Sequence, residues 1–178
     1  RNAGTIEFLE DGDLRFYFLE MNTRVQVEHP VTEMVTGVDI VEEQLLIASG
    51  NPLRFRQEEI IQNGHAIECR IYAEDPEKNF MPSPGEITLY SEPAGKDIRI
   101  DTGIAGATTI RSFYDPMIAK LIVYDTTREE AVERMQTALA QTVILGTTTN
   151  IPFLQTLLAH PVFLSGELDT GFIDANLS

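Results

Sequence analysis

The residues best suited to chemistry lie in one short run of the chain, between Glu20 and Glu28. If this run is an extended strand, its side chains alternate between two faces. One face then carries two carboxylates, two amides and a guanidinium, from Glu20, Asn22, Arg24, Gln26 and Glu28. Such a set can hold a hard metal ion, an oxyanion and a general base. A solvated strand face would alternate in the same way, but a second acidic strand immediately upstream favours a site.

That upstream strand belongs to a predicted hairpin. Residues 5–9 and 14–20 are rich in aromatic and aliphatic side chains, and Asp11-Gly12 lies between them. Asp-Gly between two such runs is a strong hairpin signal, and an antiparallel pair would bring Glu7 close to Glu20. Two carboxylates alone would repel each other, whereas Mg²⁺ is commonly held by one or two carboxylates plus nucleotide phosphate oxygens. The alternative is that Glu7 is an ordinary exposed strand residue.

Four segments carry a resemblance to a known family. Residues 20–33 (EMNTRVQVEHPVTE) resemble the signature of biotin carboxylases, the ATP-grasp components of acetyl-CoA, propionyl-CoA, methylcrotonyl-CoA and pyruvate carboxylases. The likeness continues through residues 64–76 (GHAIECRIYAEDP), 81–85 (MPSPG) and 114–121 (YDPMIAKL). It covers nearly the whole chain and weakens only near the C-terminus.

The resemblance implies an α+β fold in two parts. Residues 1–50 would be the C-terminal part of an ATP-grasp domain, with antiparallel strands and helices, and residues 51–63 a connecting segment. Residues 64–178 would form the biotin carboxylase C-terminal domain, a small antiparallel sheet with helices. The sequence has no phosphate-loop pattern, no glycine-rich nucleotide flap and no biotinyl-lysine motif. We therefore expect this to be the C-terminal part of a biotin carboxylase, inactive as an isolated fragment.

The resemblance also implies a role for each residue of the site. Glu7 and Glu20, with Asn22 as a third contact, resemble ligands of Mg²⁺ or Mn²⁺ that bridge to the phosphates of ATP, the co-substrate. Arg24, Gln26 and the backbone N–H of Val27 resemble a bicarbonate cradle. Glu28 resembles the general base that takes the bicarbonate proton, and Arg70 resembles the group that stabilises an enolate-like oxygen of biotin.

Arg70 is also unusual in its own sequence context. It lies between Cys69 and Ile71 in a predicted strand, where a permanently charged side chain needs an anionic partner. The alternative to a functional role is a structural ion pair with Glu68 or Glu74. Cys69 itself has the pattern of a buried strand residue rather than a nucleophile.

Composition limits the partners of this protein. The 178 residues are 43% hydrophobic, and 28 acidic against 13 basic residues give a formal charge of −15, which argues against a nucleic-acid partner. The single cysteine excludes an internal disulfide and fits a reducing compartment. No apolar run approaches the roughly 20 residues of a membrane span. The resemblance implies bacterial cytoplasm, or alternatively the mitochondrial matrix.

The same resemblance implies several partners. These are an N-terminal ATP-grasp portion, a biotin carrier on a separate domain, a carboxyltransferase, and a second copy in a full-length homodimer. Two other functions stay open at this point. One is another ATP-grasp ligase, such as a carbamoyl-phosphate synthetase; the other is a dimerisation or docking module of a multi-domain carboxylase. The final acyl-CoA or keto-acid acceptor is not determined by these residues.

The remaining pattern predicts the supporting elements. Helices are expected over residues 30–36 and 38–49, the second with a core-facing apolar stripe that includes Val41 and Leu45. Strands are expected over residues 65–71, 85–90, 98–101 and 117–124. A long helix is expected over residues 127–145, capped by Thr127 with Glu130, and Asn150 is expected to cap a shorter helix through Ala159.

Overall fold

The computed structural model describes residues 2–111 and 113–176. The chain divides into two compact units, Arg1–Asn63 and Gly64–Ser178. Both combine antiparallel strands with helices, so the predicted α+β class is confirmed.

The first unit begins with the predicted hairpin. Strands β1 (Thr5–Glu10) and β2 (Phe16–Asn22) pair antiparallel. The connecting loop is stabilised by Asp11, whose Oδ1 accepts hydrogen bonds from the backbone N–H of Asp13 at 2.9 Å and of Arg15 at 3.1 Å. This use of a short carboxylate to close a turn is the chemistry that the Asp-Gly signal predicts.

Two helices follow the hairpin, α1 (His29–Thr36) and α2 (Ile40–Ala48). Asp39 caps α2, because its Oδ1 accepts from the N–H of Glu42 at 2.7 Å. The apolar core stripe expected on α2 is wrong at two of its positions, since Val41 is 41% exposed and Leu45 is 65% exposed, whereas Ile40, Leu46 and Ile47 are half-buried. The helix instead buries Glu43, whose carboxylate is held by Arg54 Nε at 2.5 Å, so an ion pair occupies the inward face.

The second unit is built on a three-stranded antiparallel sheet in the order β3 (His65–Tyr72), β10 (Met117–Asp125), β8 (Ile98–Thr102). Helix α3 (Arg128–Gln141) packs on this sheet. Alternate strand residues face the helix and form a core with its apolar side. That core includes Cys69, Ile71, Leu121, Val123, Met135 and Leu139.

Short elements surround the sheet. Pairs of strands are formed by β4 (Glu74–Asp75) with β5 (Met81–Pro82), β6 (Gly85–Ile87) with β9 (Thr108–Ile110), and β7 (Leu89–Ser91) with β11 (Val143–Leu145). The other helices are α4 (Ile151–Ala159), α5 (Pro161–Ser165) and α6 (Phe172–Asn176), with 3₁₀ turns at Gln57–Glu59 and Pro76–Lys78. No helix in the described ranges is long and apolar enough to cross a membrane.

Two element predictions in this unit are wrong in their bounds. The helix capped by Thr127 and Glu130 does form, with the expected capping box, but it ends at Gln141. Residues 143–145 are a strand, because β-branched side chains suit a pleated surface and β7 offers them a pairing edge. The single strand expected over residues 85–90 is two strands, β6 and β7, which pair with different partners.

The buried thiol leads to a first prediction. Cys69 is 5% exposed, as expected of a structural strand residue, and burial raises the pKa of its thiol to about 12, with a smaller effect from the Glu68 carboxylate. The thiolate is the reactive form. We therefore expect alkylation by iodoacetamide at pH 8 to be at least about 100-fold slower in the folded chain than in guanidinium chloride. Equal rates in both conditions would contradict this burial.

Candidate active site

Two carboxylates converge at the open end of the hairpin. Glu7 on β1 and Glu20 on β2 are register partners, with a bulge between Glu7 and Phe8. The amide Nδ2 of Asn22 donates to Glu7 Oε1 at 2.8 Å and to Glu20 Oε1 at 2.9 Å. Since one donor serves both oxygens, the two carboxylates point at the same small volume.

Gln26 joins this cluster from outside the hairpin. Its Nε2 donates to Glu7 Oε1 at 2.6 Å. The prediction that residues 20–28 form one continuous strand is wrong, because β2 ends at Asn22. The chain then turns: Gln26 O accepts from the backbone N of His29 at 3.3 Å and lies 2.7 Å from its Nδ1, and α1 begins at His29. The polar side chains are gathered by this turn and not by strand alternation.

The turn also encloses a cavity of about 160 Å³. Its lining includes Arg24, Gln26 and Glu28, together with Ala3, Gly4, Thr5, Val25, His29, Thr32 and Ile40. The volume is several times the share of about 30 Å³ that a water molecule takes in the liquid, so an anion of four heavy atoms fits. Val27 lies in the same turn but is not among these lining residues.

Arg24 and Glu28 give this cavity both signs of charge. Arg24 Nη1 donates to Val25 O at 3.2 Å, so the guanidinium lies against the backbone of the turn. Glu28 occupies the position before the first residue of α1, where the helix end favours negative charge. Its side chain makes no capping hydrogen bond to α1. The arrangement can therefore bind a small oxyanion next to a carboxylate.

The donor set at Glu7, Glu20 and Asn22 fits a divalent cation. Carboxylate and amide oxygens are hard ligands of the kind that Mg²⁺ takes, and a rotation of the Asn22 amide would present Oδ1 where Nδ2 now bridges the carboxylates. Within residues 2–111 and 113–176, no group of three or more His, Cys, Asp or Glu side chains is placed to hold a metal. A cation here would consequently need further ligands, as Mg²⁺ bound with nucleotide phosphates does.

In the second unit, Arg70 lies on β3, on the sheet face opposite the α3 core. Its side chain is 39% exposed, and its Nε is 3.8 Å from Glu68 Oε1. That separation is longer than the roughly 2.7–2.9 Å of a charge-assisted hydrogen bond. The ion pair with Glu68, which was the alternative to a functional role, is present at a long separation.

A second cation lies directly across the sheet from Arg70, at the paired position Lys120. Lys120 Nζ is 3.2 Å from Asp101 Oδ2, and Arg99 forms two bonds of 2.9 Å with the same carboxylate. Burial opposes ionisation of Asp101, but the hydrogen bonds from Arg99 and Lys120 outweigh it and lower the pKa of Asp101. Like charges at paired strand positions, here Arg70 and Lys120, destabilise a sheet. The Asp101 carboxylate beside Lys120 offsets this repulsion.

Lys120, Asp101 and the contacts of Asn150 are not among the residues that the sequence predicts for the site. Lys120 had a visible signal, because it is the only charged side chain between Met117 and Tyr124. Asn150 had none. Asn150 is the N-cap residue of α4, which ends at Ala159 as predicted, but its side chain makes no capping hydrogen bond. Its amide is used by β3 instead.

Comparison with known proteins identifies the family of this chain. Residues 1–56 match the family model of the carbamoyl-phosphate synthase L chain, ATP binding domain, and residues 68–175 match the biotin carboxylase C-terminal domain. The second match covers more than half of the chain, which therefore belongs to the biotin carboxylase family. The resemblance seen in the sequence is confirmed.

Individual relatives agree with this assignment. Biotin carboxylase 1 of Bacillus subtilis is 54% identical over 97% of this chain and 38% of its own length. The mitochondrial propionyl-CoA carboxylase alpha chain of Mus musculus is 51% identical, over 97% of this chain and 24% of its own length. The chain thus spans less than half the length of either curated relative.

Among solved structures, the biotin carboxylase domain dimer of the Hydrogenobacter thermophilus 2-oxoglutarate carboxylase is similar, with a TM-score of 0.95 and 48% identity. The match covers 98% of this chain and 38% of that one. That protein was crystallised with MgADP, ADP and bicarbonate.

Proposed function

We propose that this chain is the C-terminal part of an ATP-dependent biotin carboxylase, a ligase that carboxylates biotin at N1′ through carboxyphosphate. The observation that carries the proposal is the convergence of Glu7, Glu20 and Asn22 beside a cavity lined by Arg24 and Glu28, in a member of this family. Paired carboxylates suit Mg-ATP, and an arginine beside a carboxylate suits bicarbonate and its deprotonation.

Glu7, Glu20 and Asn22 would hold Mg²⁺ or Mn²⁺. When bound, the ion neutralises charge on the phosphate oxygens of ATP. Gln26 links this set to the anion cavity, since it donates to Glu7 and also lines the cavity.

In the cavity, the planar guanidinium of Arg24, the Gln26 amide and the N–H of Val27 would orient bicarbonate. Glu28 takes the bicarbonate proton, and the resulting oxyanion attacks the γ-phosphorus of ATP. The bond to ADP breaks as the new P–O bond forms, which yields carboxyphosphate.

Carboxyphosphate then breaks into CO₂ and phosphate, and the phosphate takes the N1′ proton of biotin. The nitrogen attacks CO₂ while Arg70 stabilises the negative charge that develops on the ureido oxygen. A permanently charged donor aimed at a developing oxyanion is an effective form of transition-state stabilisation.

The proposal includes partners beyond these residues. They are an N-terminal ATP-grasp portion, a separate biotin carrier domain, a carboxyltransferase and a second copy of the full-length chain, in bacterial cytoplasm or the mitochondrial matrix. Because its 178 residues contain no phosphate-loop pattern, we expect no biotin-dependent ATP turnover by this chain alone. Sedimentation of the isolated chain would test the docking alternative, which a strict monomer would weaken.

The direct test uses the full-length enzyme and labelled bicarbonate. Mg-ATP-dependent transfer of label to free biotin is expected. Product formation that is unchanged when biotin is omitted would instead favour a carbamoyl-phosphate type of ATP-grasp ligase.

The metal site gives a separate prediction. Glu20→Gln keeps the size of the side chain but removes a charge from the carboxylate pair, so we expect the Mg²⁺ concentration for half-maximal activity to rise. The rise should be at least about 10–100-fold, which is the loss of metal affinity or activity when a residue that hydrogen-bonds to a metal ligand is removed. Titration of Mg²⁺ at fixed ATP measures it, and Glu10→Gln, an exposed carboxylate on the same hairpin, is the matched control. An unchanged Mg²⁺ requirement would remove Glu20 from the ligand set.

A further inference from the structure

The side chain of Asn150 hydrogen-bonds to the backbone on either side of Ile71, at Arg70 and at Tyr72. Its Nδ2 donates to Arg70 O at 3.0 Å, and its Oδ1 accepts from the N–H of Tyr72 at 2.9 Å. Its own backbone N–H donates to Tyr72 O at 3.2 Å. Three hydrogen bonds therefore join one residue to a three-residue stretch of β3.

These bonds lie on the open edge of the sheet. β3 is an edge strand whose partner on the other side is β10, and Ile71 is the residue paired with Ala119 there. Because the polar groups of alternate residues point to opposite edges, those of Arg70 and Tyr72 face outward. The Asn150 amide fills this edge as a short piece of neighbouring strand would.

The pairing of β3 with β10, on the other side of the strand, is irregular near the same residues. The register between β10 and β3 shifts between Met117 and Ala119, so Ile118 is an extra residue there. A bulge locally disrupts the ladder and increases twist. β10 alone therefore holds this end of β3 less regularly than it holds the rest, and Asn150 supplies the missing restraint.

Asn150 is itself fixed in place. It is 7% exposed, and its carbonyl accepts from the N–H of Leu154 at 3.0 Å in the first turn of α4. A buried amide with both ends bonded has little freedom to rotate, and an unmade bond would leave a buried polar group unsatisfied.

We propose that Asn150 is a positioning residue for Arg70, whose bidentate amide holds the β3 backbone so that the guanidinium meets the ureido oxygen of biotin. This inference rests on the proposed role of Arg70. Arg70 projects from the strand on a long, flexible side chain, so a shift of its backbone moves the charged group. Misplacement of a catalytic group by about 1 Å can cost on the order of 100-fold in rate.

The decisive variant is Asn150→Asp in the full-length enzyme. Aspartate has the same shape and still accepts from Tyr72, but an ionised carboxylate cannot donate to Arg70 O and places one oxygen against another. We expect kcat for biotin carboxylation to fall by about 10–100-fold. Bicarbonate-dependent ATP cleavage measured without biotin should stay within about 2-fold of wild type, since that step uses the residues around Glu28.

Two comparisons separate positioning from a general loss of structure. Thr147→Val removes the bond from Thr147 Oγ1 to Ser83 O, in the same connection before α4 but made to a residue outside β3, and should leave carboxylation within about 2-fold. When Asn150→Asp is combined with Arg70→Ala, carboxylation should fall almost no further than in Arg70→Ala alone, because coupled residues give non-additive effects. If the aspartate variant does not fold, Asn150→Ser tests the same bonds without a charge.

The outcomes distinguish this inference from the function on which it rests. Near-normal carboxylation by the Asn150 variants, with Arg70→Ala strongly impaired, would overturn the positioning role and leave the proposed function in place. A parallel fall in ATP cleavage and carboxylation, or full additivity with Arg70→Ala, would also overturn it. Normal carboxylation by Arg70→Ala would remove the proposed role of Arg70 and, with it, the basis for a positioning role of Asn150.

Discussion

Replacing Glu28 by glutamine in the full-length enzyme is expected to lower biotin carboxylation by about 10²–10⁴-fold, the usual contribution of a general base. Glutamine has the same shape and still lines the cavity beside Arg24, but its amide cannot take the bicarbonate proton. Incorporation of labelled bicarbonate into free biotin measures the loss. Because deprotonation precedes attack on ATP, bicarbonate-dependent ATP cleavage without biotin should fall by a similar factor.

The control for this variant is Glu58→Gln, an exposed carboxylate in the same unit whose ion-pair contact with Arg56 is 4.0 Å long. It should behave as wild type. Labelling that survives in the Glu28 variant would leave the family assignment intact and remove Glu28 as the base. A loss of labelling with unchanged ATP cleavage would place Glu28 after carboxyphosphate formation, contrary to the proposed mechanism.

Replacing Arg70 by alanine is expected to lower carboxylation by about 10²–10³-fold, as loss of one oxyanion donor does in other enzymes. Here the two partial reactions should separate, because Arg70 acts on biotin and not on ATP. Bicarbonate-dependent ATP cleavage without biotin should therefore be close to wild type. Arg70→Lys should recover only part of the loss, since a lysine keeps the charge but not the planar fork.

Arg56→Ala is the matched control, because Arg56 is an arginine with a side chain that is 79% exposed. Equal loss of both partial reactions in Arg70→Ala would indicate a structural role, in line with the Glu68 ion pair and the neighbouring Lys120 and Asp101. Retention of full carboxylation would contradict a catalytic role for Arg70.

Local signals were sufficient for several features of this protein. Asp-Gly between two apolar runs predicted the hairpin, and its register pairs Glu7 with Glu20. Thr127 followed by Glu130 predicted the start of α3 and its capping box. These features depend on residues within one turn or one strand pair, so propensity and spacing contain the necessary information.

Other features depended on neighbours far away in the chain. Residues 143–145 continue an apolar helical pattern but form a strand. Their backbone groups pair with β7 instead of bonding to the preceding helical turn. Val41 and Leu45 were expected in a core, yet they are exposed while α2 buries Glu43 against Arg54. Pairing and burial are tertiary effects that override local preference.

The candidate site shows the same division. The sequence by itself determined the chemical groups: three carboxylates, two amides and a guanidinium, all of them except Glu7 within a family signature. Only the tertiary structure decided how they meet, since β2 stops at Asn22 and a turn, not strand alternation, brings Gln26 to Glu7. Asn150 is the clearest case, because a buried amide takes its partners from wherever the fold leaves backbone groups unpaired, here 78 residues away at Tyr72.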